Sequence, residues 1–292
     1  MNKAFVFRIY PNKEQRILLA KTFGCVRFIW NKMLADKKDC YETTGRSLRT
    51  TPAKYKKEYS FLCEVDSLAL ANEQLSLEKA YKNFWNGKGK VGFPKFKSRH
   101  KGRSSYTTNY VNGNIEIADS KIKLPKLKWV RIKQHRDIPE DYKLKSCTVS
   151  QDPDGKYYIS VLFAYEEMVT QQKIEKVTGL DFSMKELYVD DQGRIPEYPG
   201  FYRKAQEKLA REQRKLSKCE KGSNNRARQR KTVAKLHKKI SNQRKDFLHK
   251  QSRQITNAYD AVVVENLNMK DMSKALRFGK SVHDNGWGLF IR

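Results

Sequence analysis

Apolar residues change their period twice along the chain, and this limits the fold more than any other feature of the sequence. Residues Lys3 to Tyr10 alternate, with Phe5, Phe7 and Ile9 on one face, as in a half-buried strand that Pro11 ends. The period then becomes helical. Asn12, with Gln15 at the third helical position, forms a capping-box pattern, and Leu18, Thr22, Cys25, Ile29 and Met33 predict a helix from about Lys13 to Cys40. Ser67 opens a second helix, carrying Leu70, Leu77, Tyr81 and Phe84, that ends near Gly87. Between Asn114 and Tyr165 alternation returns in short pieces: Ile115 and Ile117, Ile122 and Leu124, Val130 and Ile132. Here DPDG at Asp152 to Gly155 joins LKSCTVS to KYYISVLF as a hairpin. With the N-terminal strand these elements can close a small barrel.

The length of 292 residues suggests two domains. Glu166 to Lys176 is polar and without strong periodicity, which makes it the best linker and puts the boundary near Gln171. VTGLDFSMKELYVDDQG then begins a second domain. Tyr202 to Lys218 and Arg226 to Tyr259 are helical in composition and separated by KGSNN, a helical hairpin with a thin apolar stripe. Ala261 to Val264 is apolar without alternation, as expected of a strand covered on both faces by helices, and Glu265 terminates it. The expected class is α+β.

Charge narrows the function. The chain has 61 Lys+Arg against 32 Asp+Glu, a formal net charge of +29. Such a surplus repels itself and is tolerable when a polyanion neutralises it; a merely solubilising coat is the alternative. Residues 201 to 250 hold eighteen basic and four acidic residues, close to half of the surplus. The segment NGKGKVGFPKFKSRHKGR, residues 86 to 103, holds seven basic residues and no acid, with Phe93 and Phe96 interleaved, and reads as a basic loop. Lys95, Lys97, Arg99 and Arg103 are candidate phosphate contacts. Arg226, Arg228, Arg230 and Lys231 crowd the start of a long helix, where a nucleic-acid backbone would offset their repulsion. Tyr106, Tyr110, Trp129 and Tyr142 are candidate base-stacking groups, with ordinary core packing the competing role for each.

The longest apolar run is far short of the ~20 residues that cross a bilayer, and MNKAFVFRIYPNKEQ lacks the apolar core and cleavage site of a signal peptide, so a cytoplasmic protein without a membrane partner is expected. Cys25, Cys40, Cys63, Cys147 and Cys219 are odd in number and show no short paired spacing, which predicts thiols, mostly buried. The five histidines are scattered and form no zinc motif.

Two acids stand out. Asp181 follows Val177, Thr178, Gly179 and Leu180, and Glu265 follows Val262, Val263 and Val264. A carboxylate in an apolar strand context costs several kcal/mol unless it is paired or bound to a cation. Carboxylates meeting on adjacent strands suit Mg²⁺ or Mn²⁺ and phosphodiester hydrolysis. The simpler alternative is that Asp181 caps a turn and Glu265 pairs with a nearby cation. Asp190, Asp191, Asp271 and Asp284 read first as structural, DDQG being a turn and Asp271 a helix start.

Taken together, FVFRIYPNKEQRILLAKTFGCVRFIWN, GFPKFKSRH, KLPKLKWVRIKQHRDIP, GLDFSMKELYVDDQG, AVVVENLNM and DNGWGLF resemble the transposon-encoded TnpB (OrfB) family over nearly the whole chain. The resemblance implies an RNA-guided DNA endonuclease related to type V CRISPR effectors. It implies an oligonucleotide-binding-type β-barrel (residues 1–10 and 104–170) interrupted by a helical recognition insert (11–103). An incomplete RuvC-like, RNase H-like α/β nuclease domain (171–292) would follow, with a basic helical hairpin at 201–259. The family's first two catalytic acids fall on Asp181 and Glu265, as ligands of Mg²⁺ or Mn²⁺, and the implied partners are guide RNA and target DNA.

The departure lies at the other end. Family members usually continue past DNGWGLF with a four-cysteine zinc ribbon and a third catalytic Asp, whereas this chain stops at Arg292 with no cysteine after Cys219. The expectation is therefore a truncated nuclease, with Trp287, Leu289, Phe290 and Ile291 left without an apolar partner. Two alternatives remain: a non-cleaving nucleic-acid-binding repressor or transposition accessory protein, and a DNA-strand-transferring transposase.

Overall fold

The computed structural model describes residues 1–87, 89–99, 103–166, 173–275 and 279–292. The chain divides into two compact units, Met1–Glu167 and Met168–Arg292. Gln171, where the linker was expected, lies outside the described residues.

The first unit opens with β1 (Asn2–Tyr10), whose alternation buries Phe5, Phe7 and Ile9. Helix α1 (Lys13–Thr44) begins at the Asn12 and Gln15 capping box and ends at Gly45, which supplies the left-handed backbone (φ 66°) that closes the last turn. The Gln15 side chain also donates to the carbonyls of Leu127 and Trp129, fixing the helix start to the sheet. Helices α2 (Pro52–Glu58) and α3 (Ser67–Asn86) follow, α3 capped by Asp66, whose carboxylate accepts from the Leu68 amide. Then come β2 (Ser104–Asn109), β3 (Glu116–Ala118), β4 (Lys121–Leu124), β5 (Lys128–Lys133), β6 (Lys143–Gln151) and β7 (Tyr157–Ala164). They form one antiparallel sheet in the order β2-β6-β7-β1-β5-β4-β3, curled into a half-barrel. Among the described residues it does not close; α1 and α3 pack against its edge strand β2, and Leu19, Ile29, Met33, Leu70 and Leu77 share one core with the strands.

The second unit contains β8 (Val177–Ser183), β9 (Leu187–Asp190), α4 (Phe201–Lys218), α5 (Asn224–Ala258), β10 (Ala261–Val264), α6 (Met269–Ala275), α7 (Gly279–Asn285) and α8 (Trp287–Phe290). Its sheet has the order β10-β8-β9, with β8 antiparallel to β9 and parallel to β10. The helical hairpin expected at 201–259 is α4 and α5, packed through Leu209, Val233 and Ile240.

Three expectations are corrected. Strand β10 is not covered on both faces: it is an edge strand, and Val263 is 63% exposed. The unit's main core, with Leu187, Leu248, Ile255 and Trp287, lies on the face of Leu180 and leaves the opposite face open. Trp287 is not unpartnered, being 0% exposed and packed against Phe182 and Phe290; Leu289 and Ile291 are exposed. Of the five free thiols, Cys25 and Cys147 are buried, Cys40 and Cys219 partly so, and Cys63 is exposed. No helix among the described residues is long and apolar enough to cross a membrane.

Candidate functional site

Parallel pairing of β8 with β10 sets side by side the two strand ends that lead to the acids. Val263 pairs with Gly179 and Val264 with Leu180; Asp181 is the next residue of β8, and Glu265 is the first residue past the end of β10. Successive side chains alternate faces along a strand, which puts Asp181 on the face of Gly179. That face is opposite Leu180 and its core. Both acids are exposed, and no side-chain hydrogen bond or ion pair involves either among the described residues. The turn-capping and ion-pairing roles are therefore not the ones they have here.

Two hard oxygen donors on an open face fit a divalent cation that keeps part of its water shell and takes further ligands from phosphate oxygens. No group of three or more His, Cys, Asp or Glu suited to a metal occurs among the described residues.

The other acids have local work. Asp190 accepts from the Gln192 and Arg194 amides and pairs with the Arg194 guanidinium at 2.6 Å. Burial alone raises its carboxyl, but these bonds hold it below the ordinary aspartate value. Asp191 accepts from Thr178 Oγ1 at 2.8 Å, and Asp271 accepts from Asn268 at the start of α6. Asp284, 4% exposed, accepts from the amides of Tyr202 and Arg203 in the first turn of α4 and from Arg244 at 3.4 Å. Its neighbour Asn285 donates to the Ser183 carbonyl at 3.0 Å, so DNGW ties α4 and α5 to the end of the strand that carries Asp181. Burial pushes the Tyr198 phenol up to about 12, keeping it a donor to Asp284.

The basic candidates divide into held and available groups. The Asn31 side chain clamps the backbone of Lys97 on both sides (2.7 and 3.0 Å), and Trp30 Nε1 donates to the Lys95 carbonyl. The Lys97 ammonium lies 4.0 Å from the Trp30 ring centre and pairs with Glu73, while Arg103 pairs with Asp152 at 2.9 Å. Lys95 and Arg99 are exposed without an ion-pair partner among the described residues. On α5 the Arg226 guanidinium donates to the carbonyls of Leu216 and Cys219, closing the turn from α4, whereas Arg228, Arg230 and Lys231 are exposed.

Of the stacking candidates, Tyr106 is a core residue at 4% exposure, and Tyr142 packs among Phe5, Phe163 and Tyr165; Tyr110 and Trp129 are exposed. Around Trp129, itself a candidate from the sequence, the structure shows neighbours that the sequence reading missed. On the outer face of the sheet Tyr10 lies beneath Arg8 and Arg131 (4.7 and 5.9 Å), and Lys123 stands over Trp129. The alternation that buries Phe7 and Ile132 already places these residues outward.

Comparison with known proteins defines the class first. A solved structure titled "Cryo-EM structure of the Cas12f1-sgRNA-target DNA complex" matches 99% of this chain and 87% of its own at a TM-score of 0.50 and 11% identity, a likeness of fold. Residues 159–276 match the OrfB_IS605 family model, described as "Probable transposase". Residues 1–46 match one described as "Helix-turn-helix domain", although they form a strand and one long helix here. Two curated relatives are named "Putative RNA-guided DNA endonuclease". The one from Streptomyces pristinaespiralis is 31% identical over 98% of this chain and 72% of its own length. The other, InsQ of Escherichia coli (strain K12), is 30% identical over 98% and 75%. "Virulence protein VsdF" of Salmonella dublin is 38% identical over 32% of this chain and 89% of its own. The chain belongs to the TnpB/OrfB family of transposon-encoded proteins.

Proposed function

We propose that this chain binds a guide RNA and the DNA that pairs with it, and hydrolyses DNA phosphodiesters at a divalent-metal centre held by Asp181 and Glu265. The observation that supports the reading is the parallel pairing of β8 with β10, in which the last pair, Val264 with Leu180, stands one residue before Glu265 and Asp181. A bound Mg²⁺ or Mn²⁺ would supply Lewis-acid stabilisation of a phosphate and an activated water. Asp181 and Glu265 would hold the ion. Asn285 and Trp287 fix the end of β8, and so the place of Asp181. Arg228, Arg230 and Lys231 on α5, and Lys95 and Arg99 in the basic loop, would neutralise phosphates, with Lys97, Arg103 and Arg226 holding the backbone that presents them. Base pairing with the guide, rather than side chains, would read the target sequence. The family names of the relatives support this reading, as does a net charge of +29.

A second reading keeps the grip without the cut, because no group of three or more His, Cys, Asp or Glu suited to a metal occurs among the described residues. One experiment separates the two. The full chain, with the RNA that copurifies with it, is mixed with matched duplex DNA and Mg²⁺ and compared with Asp181→Ala and Glu265→Ala. Cleavage by the wild type that both variants lose while still retarding the DNA is the expected result. Salt-sensitive retardation with no cleavage by any of the three supports the second reading. Equal cleavage by wild type and Asp181→Ala overturns the assignment of the centre.

A further inference from the structure

One cavity lies wholly within the first unit. It is an open groove of about 910 Å³ in the helical insert, between the second halves of α1 and α3 and the segment carrying Phe93. Its walls are unusual for an exposed surface. Trp85 and Tyr41 are each 65% exposed and Phe93 is 40% exposed. Tyr81 lies against Trp85 at 5.3 Å with the rings tilted by 31°, and meets Phe93 edge-on at 5.5 Å. This leaves much of the indole presented to the groove rather than covered by its neighbours.

The rim is polar and carries both signs. Lys37 stands 5.6 Å from the Tyr81 ring centre, and Lys38 and Arg49 also line the groove. Glu42 and Glu78 do so too, with Glu78 accepting from Gln74 at 2.9 Å. An aliphatic or helical protein ligand makes little use of such a rim. A nucleotide uses all of it: the base stacks on the aromatic wall, the phosphate meets the cations, and the carboxylates accept from the base's amino or imino groups.

We infer that this groove is a binding site for a single unpaired nucleobase of the bound nucleic acid, stacked on Trp85 with its phosphate on Lys38 and Arg49. The inference rests on the proposed reading of the chain as a nucleic-acid-binding protein, and it adds a recognition site distinct from Asp181 and Glu265. Stacking is tolerant of base identity, so the site favours any base free to leave a helix, with amino-bearing bases ahead because of Glu42 and Glu78.

The test uses the full chain and a single-stranded RNA 12-mer carrying one 2-aminopurine, followed by fluorescence quenching and, separately, by anisotropy. Quenching in the wild type, abolished in Trp85→Ala and restored in Trp85→Tyr, with roughly tenfold weaker binding for Trp85→Ala, is the expected outcome. Lys38→Ala and Arg49→Ala should each lower the slope of log affinity against log salt by about one. Binding without 2-aminopurine quenching, or quenching unchanged in Trp85→Ala, overturns the groove assignment and leaves the nucleic-acid reading standing. Sedimentation that shows a dimer lost in Trp85→Ala assigns the groove to a second copy instead. Absence of any RNA binding overturns both.

Discussion

In the seven-stranded sheet Phe7, Ile122, Val149 and Val161 share one buried core with residues of α1 and α3, while in the three-stranded sheet Val263 faces solvent beside Gly179. Both sheets place alternate residues on opposite faces, yet the first devotes its inner face to a large core and the second covers only one side. The contrast teaches that the exposure of Val263 and that of Asp181 go with one uncovered face of the smaller sheet. An apolar layer over the face of Gly179 would cover Val263 and Asp181 alike. Stability of the second unit then depends on the side that is covered, above all on Trp287.

The largest effects should expose this division directly. Trp287→Ala and Phe7→Ala each remove a fully buried ring, which typically costs about 3–5 kcal/mol. Hydrogen exchange should show Trp287→Ala stripping protection from β8 and β9 while β6 and β7 keep theirs, with Phe7→Ala doing the reverse. Loss of protection in both units from either substitution would break the comparison.

A smaller contrast sharpens it within a single residue type. Val161→Thr buries a hydroxyl in a filled core and should cost about 1–3 kcal/mol, whereas Val263→Thr, on the open face, should stay within about 0.5 kcal/mol in denaturant unfolding. A cost for Val263→Thr as large as that for Val161→Thr would mean that the open face is covered in solution.

The smallest effect concerns Asp190, whose carboxyl is held below its ordinary value by the amides and guanidinium around it. A depressed carboxyl contributes stability that is complete above the unfolded-state value, about 3.9, and lost as pH falls through the lower folded value. Thermal unfolding of the β8–β9 region between about pH 5 and pH 2.5 should therefore slope less steeply for Asp190→Asn than for wild type. Equal slopes would contradict the assignment.

Much of the first unit is legible in the sequence because its rules are local. Asn12 and Gln15 announce α1, and the alternation around Phe5, Ile122 and Val161 announces the strands. The end of α1 lies four residues beyond Cys40 because Gly45, rather than the last apolar residue, closes the helix. The second unit is less legible because its decisive features are long-range. AVVV reads the same whether a strand is central or at an edge, so the exposure of β10 carries no local signal. Asp181 and Glu265 were visible as acids after apolar runs, but the parallel register of the strands that precede them is encoded by neither segment alone. The partners of Lys97 and Arg226 were hidden for the same reason: Glu73 and the carbonyls at the end of α4 are brought to them by helix packing. The groove of Trp85 and Tyr41 was missed because aromatic residues near the end of a helix look like ordinary core.

The central claim, that Asp181 and Glu265 together hold one divalent ion, is tested most directly by Mn²⁺ binding to the full chain, followed by electron paramagnetic resonance, for wild type, Asp181→Asn and Glu265→Gln. Outer-sphere partners of metal ligands are already worth 10- to 100-fold in affinity, so loss of either ligand should weaken the site by at least about tenfold. One wild-type site, weakened to a similar degree by both substitutions, is the result this account expects; a wild-type affinity retained by either variant would contradict it.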